Sequence, residues 1–316
     1  MIPSDKIFEG TKTFPDKLKG GVVVIGNFDG VHLGHQAVLQ DALDLAKKKK
    51  CPAIVLTFEP HPRTFFRPEI PVFRLTPPHL KADLLIEFGF DAVVSENFDK
   101  DLANLEAEEF ISKHLVENLQ ASHVVIGFNF HFGKNRRGTP ELLVEEGEKA
   151  GFGVTRVQRY VDAGGERVSS SRIRNALEDG DIARANILLG RCWRARGQVV
   201  KGAQLGRTLG YPTANIKLHP ATQLRHGIYA VRLMRPDGSV HDGVASYGKR
   251  PTFDNGAPLL ETFIFDFSGD IYGEFIAVDL VGWIRAEEKF ESAEALVVQM
   301  DKDSLKAKEI LSENRT

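Results

Sequence analysis

Short apolar runs alternate with longer segments of helical periodicity through the first half of the chain. The runs GGVVVIG and CPAIVLTF are typical of buried strands, and residues 37–50 between them carry an apolar stripe at helical spacing. The same alternation continues to residue 161. Because strands that alternate with helices form parallel sheets with helices on both faces, the pattern predicts an α/β domain with a Rossmann-like parallel sheet.

The pattern changes after residue 169, where SSRIRNALEDGDIARANILLG predicts two short helices before residue 192. Short strand-like runs follow, separated by Gly and Pro, and RPDGS is a hairpin signal because Asp-Gly suits the turns that match strand twist. A helical segment at 292–311 follows these strands. The features predict an all-β domain, a small antiparallel barrel with a C-terminal helix. We predict domains at 1–185 and 186–316.

Composition and charge exclude several classes of protein. Lys and Arg total 41 and Asp and Glu total 43, so the net charge of −2 argues against bulk nucleic-acid binding through phosphate neutralisation. The two cysteines, Cys51 and Cys192, are too few for a disulfide framework or a Cys-rich zinc site. The sequence lacks a signal-peptide core and any apolar run near the ~20 residues that cross a bilayer. We expect a cytoplasmic protein with no nucleic-acid, membrane or obligate protein partner.

The segment GNFDGVHLGH, residues 26–35, contains two histidines, His32 and His35. They could be metal ligands, helix-cap residues or phosphate donors. Zinc-binding helices usually place His at i and i+4 with a third ligand, so this spacing does not favour a metal. The histidines lie where a buried strand meets a helix, the place where open α/β sheets bind ligands and helix N-termini bind phosphate. We therefore predict that both imidazoles donate N–H groups to phosphate and stabilise charge developing at an attacked phosphorus.

The segment RVSSSRIR, residues 167–174, suits phosphate in a similar way. Ser170 and Ser171 could cap a helix or bind phosphate oxygens, and Arg174 could hold a leaving pyrophosphate. The alternative is a plain serine cap with surface arginines.

The second dense motif is KGAQLGRTLGYPTAN, residues 201–215. It is not a Walker A loop, because its first two glycines are too close and an Arg replaces the Lys, and we expect it to lie among strands without a following helix. Gly206, Arg207 and Gly210 could wrap the phosphates of ATP. The alternative is a Gly-rich barrel turn.

Within that motif, PTAN carries two oxygen donors on one side of a predicted strand. Thr213 and Asn215 are two residues apart, so their side chains share a face, and hydroxyl and amide oxygens suit Mg²⁺. A kinase of a small alcohol also needs a base, and Glu261 at the start of a predicted strand is a candidate. The alternative for Glu261 is an exposed strand carboxylate.

These motifs resemble those of a known family. GNFDGVHLGH is similar to the His-x-Gly-His signature of α/β nucleotidyltransferases that release pyrophosphate. The first half further resembles the branch that adenylylates FMN, through TFEPHP, RLT, GFNFHFGKNRRG and RVSSSRIR. The second half resembles the riboflavin kinase domain, through GRTLGYPTAN, GIYAVRL, GVASYGKRPTF, LLETFIFDFSGDIYGE and IRAEEKF. Nearly the whole chain therefore resembles the prokaryotic FAD synthetase family of bifunctional riboflavin kinases/FMN adenylyltransferases.

The resemblance implies two activities. The C-terminal domain would convert riboflavin and ATP into FMN and ADP, and the N-terminal domain would convert FMN and ATP into FAD and pyrophosphate. Riboflavin, FMN and ATP would be the partners, with Mg²⁺ as the cofactor and FMN and FAD as the products.

The resemblance also implies which residues form both sites. The catalytic residues would be His32, His35, Arg174 and Glu261, with Glu261 acting on the ribityl 5′-hydroxyl. The residues in contact with ATP or flavin would be Gly26, Asn27, Phe28, Asp29, Gly30, Gly34, Asn129, Arg167, Ser170, Ser171, Gly206, Arg207, Gly210, Pro212, Arg285 and Glu287. The ligands of Mg²⁺ would be Thr213 and Asn215. The chain has Asn129, His131 and Ser171 where the family often has Asp, Arg and Thr.

Two other functions are compatible with parts of the sequence. A nucleotidyltransferase that acts on a cytidylyl or pantetheine substrate would explain the first half, but not the kinase-like second half. A flavin- or nucleotide-sensing module without catalysis would not require His32, His35, Thr213, Asn215 and Glu261.

Overall fold

The computed structural model describes residues 4–202, 205–249 and 258–314. The chain divides into two compact units, Met1–Ser169 and Ser170–Thr316. Within the described residues, no helix combines the length and the apolar character that a membrane span requires.

The first unit is built on a parallel sheet. Among the described residues its strands are β1 (Ile7–Glu9), β2 (Val22–Ile25), β3 (Ala53–Glu59), β4 (Ala92–Asn97), β5 (His123–Gly127) and β6 (Gly153–Val157). They lie in the order β1-β4-β3-β2-β5-β6, and every neighbouring pair is parallel. All of them therefore end at one edge of the sheet, where α/β folds carry their ligand-binding loops.

Helices cover both faces of this sheet. They are α1 (Leu33–Lys49), α2 (Pro62–Phe66), α3 (Pro78–Glu87), α4 (Lys100–Asn104), α5 (Ala107–Phe110) with a π-helix after it (Ile111–Asn118), and α6 (Pro140–Ala150). Val23 and Ile25 of β2 pack in one buried cluster, and Val22 and Val24 pack in another. A strand alternates its side chains, so a strand buried on both faces is apolar throughout. The predicted Rossmann-like sheet is confirmed.

Several details of this unit differ from the predicted pattern, among them the short helices α2 and α4, which were not predicted. The edge strand β1 was not expected, because its three residues, Ile7–Glu9, are too short to carry a periodic signal. Helix α1 begins at Leu33 rather than at residue 37, because the His32 side chain caps it. The earlier start brings both His32 and His35 to the first turn of the helix.

The second unit contains a closed antiparallel barrel. The strands described in it are β7 (Trp193–Val200), β8 (Thr213–Lys217), β9 (Gly227–Met234), β10 (Val240–Lys249), β11 (Pro258–Ile264) and β12 (Phe275–Ala286). They close in the order β10-β11-β8-β7-β12-β9. Tyr229 and Tyr247 are fully buried in its interior. The hairpin β9–β10 spans the RPDGS turn, so the predicted barrel is confirmed.

The helices of this unit are α7 (Ser170–Asp179), α8 (Ile182–Leu189), α9 (Leu205–Thr208) and α10 (Ala293–Glu313). The one-turn α9 corrects the expectation of a Gly-rich motif without a helix. It forms because the loop closes on itself, with the Tyr211 N–H donating to the Gly206 carbonyl oxygen at 2.7 Å. Helix α10 packs on β9, β10 and β12, as the predicted C-terminal helix should.

Helices α7 and α8 pack with the barrel. The Asn186 side chain on α8 donates from Nδ2 to the Leu280 carbonyl oxygen at 2.9 Å and accepts from the Trp193 N–H at 2.8 Å. Helix α8 also packs on α7, β7 and β12. The predicted domain boundary between residues 185 and 186 falls within α8 and stays a prediction.

We predict that substitutions in α7 change the unfolding of the barrel. Leu177 on α7 is fully buried, so Leu177→Ala should lower the free energy of unfolding by about 2–5 kcal/mol. Ile187 on α8 is 68% exposed, so Ile187→Ala should change it by less than about 0.5 kcal/mol. Both tryptophans of the chain, Trp193 and Trp283, lie in this unit, so urea unfolding followed by tryptophan fluorescence reports on it. An unshifted unfolding transition in Leu177→Ala would show that α7 does not contribute to the stability of the barrel.

Candidate active sites

The histidine pair lies on the turn between β2 and α1. His32 is the N-cap of α1, and its Nδ1 accepts a hydrogen bond from the His35 backbone N–H at 3.2 Å. The two rings stack with their centroids 3.6 Å apart and an angle of 15° between their planes. His32 is buried and His35 is half-buried. Both imidazoles therefore lie at the N-terminus of α1, which is the positive end of the helix dipole.

The cap interpretation and the phosphate interpretation are both compatible with this geometry. Because Nδ1 of His32 accepts a hydrogen bond, the neutral ring carries its proton on Nε2. Nε2–H is then a donor, which is the form that phosphate binding requires. Among the described residues, no group of three or more His, Cys, Asp and Glu side chains is arranged to hold a metal ion.

Glycines in the turn allow close contacts that a side chain would block. A Cβ on Gly34 would lie 3.2 Å from Cε1 and Nδ1 of the His32 ring, and a Cβ on Gly26 would lie 2.8 Å from Cζ of Phe28. Gly30 has a φ of 94°, in the left-handed region that favours glycine. Phe28 and Val31 also have positive φ, which costs roughly 1–3 kcal/mol each and persists only where the surroundings impose it.

The buried Asp29 carboxylate holds this turn in place through hydrogen bonds. Asp29 is buried, and it accepts hydrogen bonds from the backbone N–H groups of Leu75 at 3.3 Å and Thr76 at 3.0 Å. The Thr76 hydroxyl in turn accepts from the Gly30 N–H at 2.9 Å. Asp29, predicted from the resemblance to contact ATP or flavin, is placed by the structure in bonds to the chain's own RLT segment.

Three more charged side chains help to hold the same turn in place. The Arg74 guanidinium binds both carboxylate oxygens of Glu59 at 2.7 Å, and its Nε lies 3.5 Å from Asp29. Lys81 Nζ lies 2.7 Å from Glu59 and donates to the Asn27 carbonyl oxygen at 3.2 Å. We call Asp29, Glu59, Arg74 and Lys81 the buried charge cluster. Lys81 was not singled out in the sequence, although a lysine on the apolar face of α3 was a usable signal.

Within the cluster, the neighbouring charges oppose the effect of burial on the pKa of Glu59 and of Lys81. Burial alone would raise the pKa of Glu59, but the hydrogen bond from Arg74 and the charges of Lys81 and Arg74 hold it below its usual value. Burial lowers the pKa of Lys81, and the Glu59 charge offsets only part of that effect. Breaking such a buried pair by removing one partner costs about 3–5 kcal/mol. The cluster therefore holds the strained turn in place.

A cavity of about 1080 Å³ lies at the carboxyl edge of the sheet, lined by the ends of β2 and β5 and the loops after β2, β3, β4 and β5. It includes the predicted residues Gly26, Asn27, Phe28, His35 and Asn129. Its aromatic lining is Phe28, Phe58, Phe65, Phe66, Phe98, Phe110, Phe130 and Phe132. Its cations are Arg63, Arg67, Lys100, Lys134 and Arg136, and no Asp or Glu stands among the described lining residues. Aromatic rings with cations suit a flat ring system that carries phosphate.

Several of the predicted contacts are not among the described lining residues of this cavity. Arg167 is exposed and its guanidinium stacks 5.2 Å from the centroid of the Phe128 ring. Ser170 is the first residue of α7, with Ser171 and Arg174 on its first two turns, in the second unit. His131, where the family often has Arg, lines the cavity, and its Nδ1 lies 3.0 Å from the Asn129 carbonyl oxygen.

The second site lies on β8 and β11 of the barrel. A smaller cavity of about 230 Å³ is lined by Arg207, Pro212, Thr213 and Asn215, which the sequence had grouped. The loop before it is tight, because a Cβ on Gly206 would lie 2.3 Å from the Tyr211 carbonyl oxygen. Gly210 has a φ of 82°, which favours glycine.

The proposed metal ligands and base lie close together. Asn215 pairs directly with Glu261 across the β8–β11 ladder, so the two side chains stand on one face of the barrel wall, as does that of Thr213. Asn215 is 4% exposed, and among the described residues its Oδ1 has no hydrogen-bond partner. A buried amide oxygen without a partner beside a carboxylate fits a hard cation such as Mg²⁺.

The structure shows how Arg285 of the flavin-side segment is bound within the chain. The Arg285 guanidinium donates to both carboxylate oxygens of Asp303 on α10, at 2.8 and 2.7 Å, and to the Ala286 carbonyl oxygen at 2.9 Å. The flavin contact that the resemblance implied for Arg285 stays a prediction. Glu287 lies 3.8 Å from Nδ1 of His226 and packs where a Cβ on Gly248 would stand.

Comparison with known proteins identifies the family. A family model described as FAD synthetase matches residues 14–172, and one described as riboflavin kinase matches 189–311. The bifunctional riboflavin kinase/FMN adenylyltransferase of Haemophilus influenzae is 40% identical over 291 residues, 92% of this chain and 94% of that protein. The chain belongs to the bifunctional riboflavin kinase/FMN adenylyltransferase family.

Other members extend the match. The Escherichia coli protein is 40% identical over 92% of this chain and 93% of its own length, and the Listeria monocytogenes protein is 37% identical over 89% and 90%. A solved structure from Streptococcus pneumoniae, described as a macrolide-efflux protein, is 32% identical, covers 98% of this chain and 100% of its own, and has a TM-score of 0.84. The two-unit fold of this family member therefore recurs in a solved structure.

We predict that acid weakens the first site through Glu59. Because the folded pKa of Glu59 lies below its unfolded value of about 4.3, its stabilisation is present above that value and is lost as pH falls through the folded pKa. Glu59→Gln should destabilise the β2–α1 turn at pH 7 by about 3–5 kcal/mol, and its difference from the wild type should shrink below about pH 4. Hydrogen exchange of amides in α1, corrected for intrinsic rates, measures both.

The exposed Glu69 provides the control, since Glu69→Gln should exchange like the wild type at pH 7. A difference between wild type and Glu59→Gln that stays constant down to pH 3 would contradict a charged Glu59 in the fold.

Proposed function

We propose that the chain makes FAD in two steps. The barrel unit transfers the γ-phosphoryl group of ATP to riboflavin and releases ADP. The first unit transfers the adenylyl group of a second ATP to FMN and releases pyrophosphate. The observation that carries the proposal is the cavity of the first unit, which is lined by cations and contains His35 at the first turn of α1. No Asp or Glu is among its described lining residues. The two halves of the chain match the two family models.

In the adenylyl transfer, a phosphate oxygen of FMN attacks the α-phosphorus of ATP and the bond to pyrophosphate breaks. Negative charge grows on the α-phosphoryl oxygens during attack. The Nε2–H of His32 and the imidazole of His35, stacked on each other at the helix N-terminus, are suited to donate hydrogen bonds to that charge. The cations of the cavity wall would balance the charge of two phosphorylated substrates. No covalent intermediate is required.

In the phosphoryl transfer, the ribityl hydroxyl of riboflavin attacks the γ-phosphorus of ATP. Glu261, which pairs with Asn215 across the ladder, is proposed to accept the hydroxyl proton. Arg207, which lines the cavity, is proposed to bind phosphate. Asn215 Oδ1 and the Thr213 hydroxyl would hold Mg²⁺, which would neutralise phosphate charge. With free Cys51 and Cys192 in the chain, we propose the cytoplasm as the compartment.

The direct test is to incubate the pure protein with riboflavin, ATP and MgCl₂ and to separate the flavins by chromatography. FMN should appear first and FAD should follow. Riboflavin that remains unchanged would refute the kinase step, and supplied FMN that remains unchanged would refute the adenylyl transfer.

We predict that His35→Ala blocks the second step alone. Removal of one donor to a developing oxyanion should lower the rate of FAD formation from FMN by about 10²–10³-fold. FMN formation from riboflavin should continue at the wild-type rate, because the barrel site does not contain His35. The exposed His79 on α3 supplies the matched control, since His79→Ala should leave both rates unchanged. Equal loss of both steps in His35→Ala would refute the assignment.

We predict the opposite pattern for Glu261→Gln. Loss of the proton acceptor should lower the rate of FMN formation by about 10²–10⁴-fold. FAD formation from supplied FMN should persist. Glu291 is an exposed carboxylate of the same unit, and Glu291→Gln should not slow either step. Wild-type kinase activity in Glu261→Gln would show that another group accepts the proton.

A further inference from the structure

The C-terminal helix α10 contacts residues 205–212 of the barrel, which we call the nucleotide loop. The Tyr211 hydroxyl donates to the Asp301 carboxylate on α10. The Tyr211 ring also packs on Phe263 of β11, with the centroids 4.6 Å apart.

Tyr211 is well placed to control the loop. Its N–H closes the loop onto the Gly206 carbonyl oxygen at 2.7 Å, and its own carbonyl oxygen fills the space beside Gly206. Arg207 lies inside that closed loop, and Pro212 and Thr213 follow Tyr211 directly into the cavity wall. A shift of the Tyr211 side chain therefore moves the residues proposed to hold ATP and Mg²⁺.

Helix α10 is a firm support, because it is bound to the barrel at two other places. Asp303 is 4% exposed and receives two hydrogen bonds from Arg285 and one from Gln299. Near the end of the helix, the Leu311 carbonyl oxygen accepts from Arg232 at 2.9 Å.

Helical geometry lets this one helix reach two parts of the barrel. Residues two apart on an α-helix point about 200° away from each other. Asp303 therefore faces the barrel wall and anchors the helix, while Asp301, which is exposed, extends from another side of the helix to Tyr211.

We propose that Asp301 and Tyr211 are positioning residues of the kinase step, which tie the nucleotide loop to α10 and set its closed form before ATP binds. The inference rests on the proposed riboflavin kinase function of the barrel. Neither residue needs to touch the substrate. The hydrogen bond between them orders the loop in advance, so that the binding of ATP does not have to supply the free energy of ordering it.

The test compares Tyr211→Phe, Asp301→Ala and the double variant in steady-state kinase assays. Tyr211→Phe keeps the ring on Phe263 and removes only the hydroxyl. Each single variant should raise KM for ATP by roughly five- to tenfold, the net worth of one typical hydrogen bond, and leave KM for riboflavin within about twofold. The double variant should be no worse than either single variant, because both remove the same bond.

Controls separate positioning from general loss of structure. Glu309→Gln breaks an exposed ion pair with Lys306 on the same helix and should leave KM for ATP unchanged. The adenylyl transfer of all variants should equal that of the wild type. Tryptophan-detected unfolding should show that the variants remain folded at the assay temperature.

An unchanged KM for ATP in both single variants would overturn the inference, as would equal increases in KM for ATP and riboflavin or additive effects in the double variant. Those results differ from a failure of the proposed function, which would appear as a wild-type protein that does not phosphorylate riboflavin at all.

Discussion

The buried charge cluster of Asp29, Glu59, Arg74 and Lys81 is the constraint on which the first site depends. The turn between β2 and α1 contains positive-φ residues that are not glycine, and such a conformation persists only where the surroundings impose it. Asp29 binds the RLT segment, and Lys81 binds the Asn27 carbonyl oxygen, so the turn is held from both of its sides. With the turn fixed, α1 begins at Leu33 and the two imidazoles stack at its N-terminus. The arrangement of the two imidazoles thus depends on ion pairs that are largely buried.

The two units meet the same chemical demand in different ways. Both proposed reactions transfer a group through its phosphorus atom, and both need hydrogen-bond donors or cations where negative charge develops. The first unit uses a helix N-terminus, imidazoles and a cavity wall of cations at the carboxyl edge of a parallel sheet. The barrel uses a tight glycine loop together with the cross-strand pair Asn215 and Glu261 on its wall. The difference follows from architecture, because a closed antiparallel barrel has no edge at which all of its strands end.

Much of the fold could be predicted because its signals are local. Continuous apolar runs predicted the doubly buried strands β2 and β3, and the Asp-Gly turn predicted the hairpin β9–β10. The elements that were missed are the short ones. β1 and α9 contain three and four residues, and each is fixed by contacts with distant or loop segments rather than by periodicity. Their absence from the predicted pattern therefore has a physical reason.

The sequence alone determined the two-unit organisation, the strand–loop–helix setting of His32 and His35, and the shared face of Thr213 and Asn215, because each depends on spacing along a single element. Only the tertiary structure decided how Asp29 and Arg285 are used. Within the chain, Asp29 binds the RLT segment and Arg285 binds Asp303, while their expected contacts with a ligand stay predictions. It likewise brought Glu261 opposite Asn215 and Tyr211 to Asp301, pairs separated by dozens of residues. The partner of a charged or polar group is set by strand register and helix packing, and these arise only when distant segments are buried together.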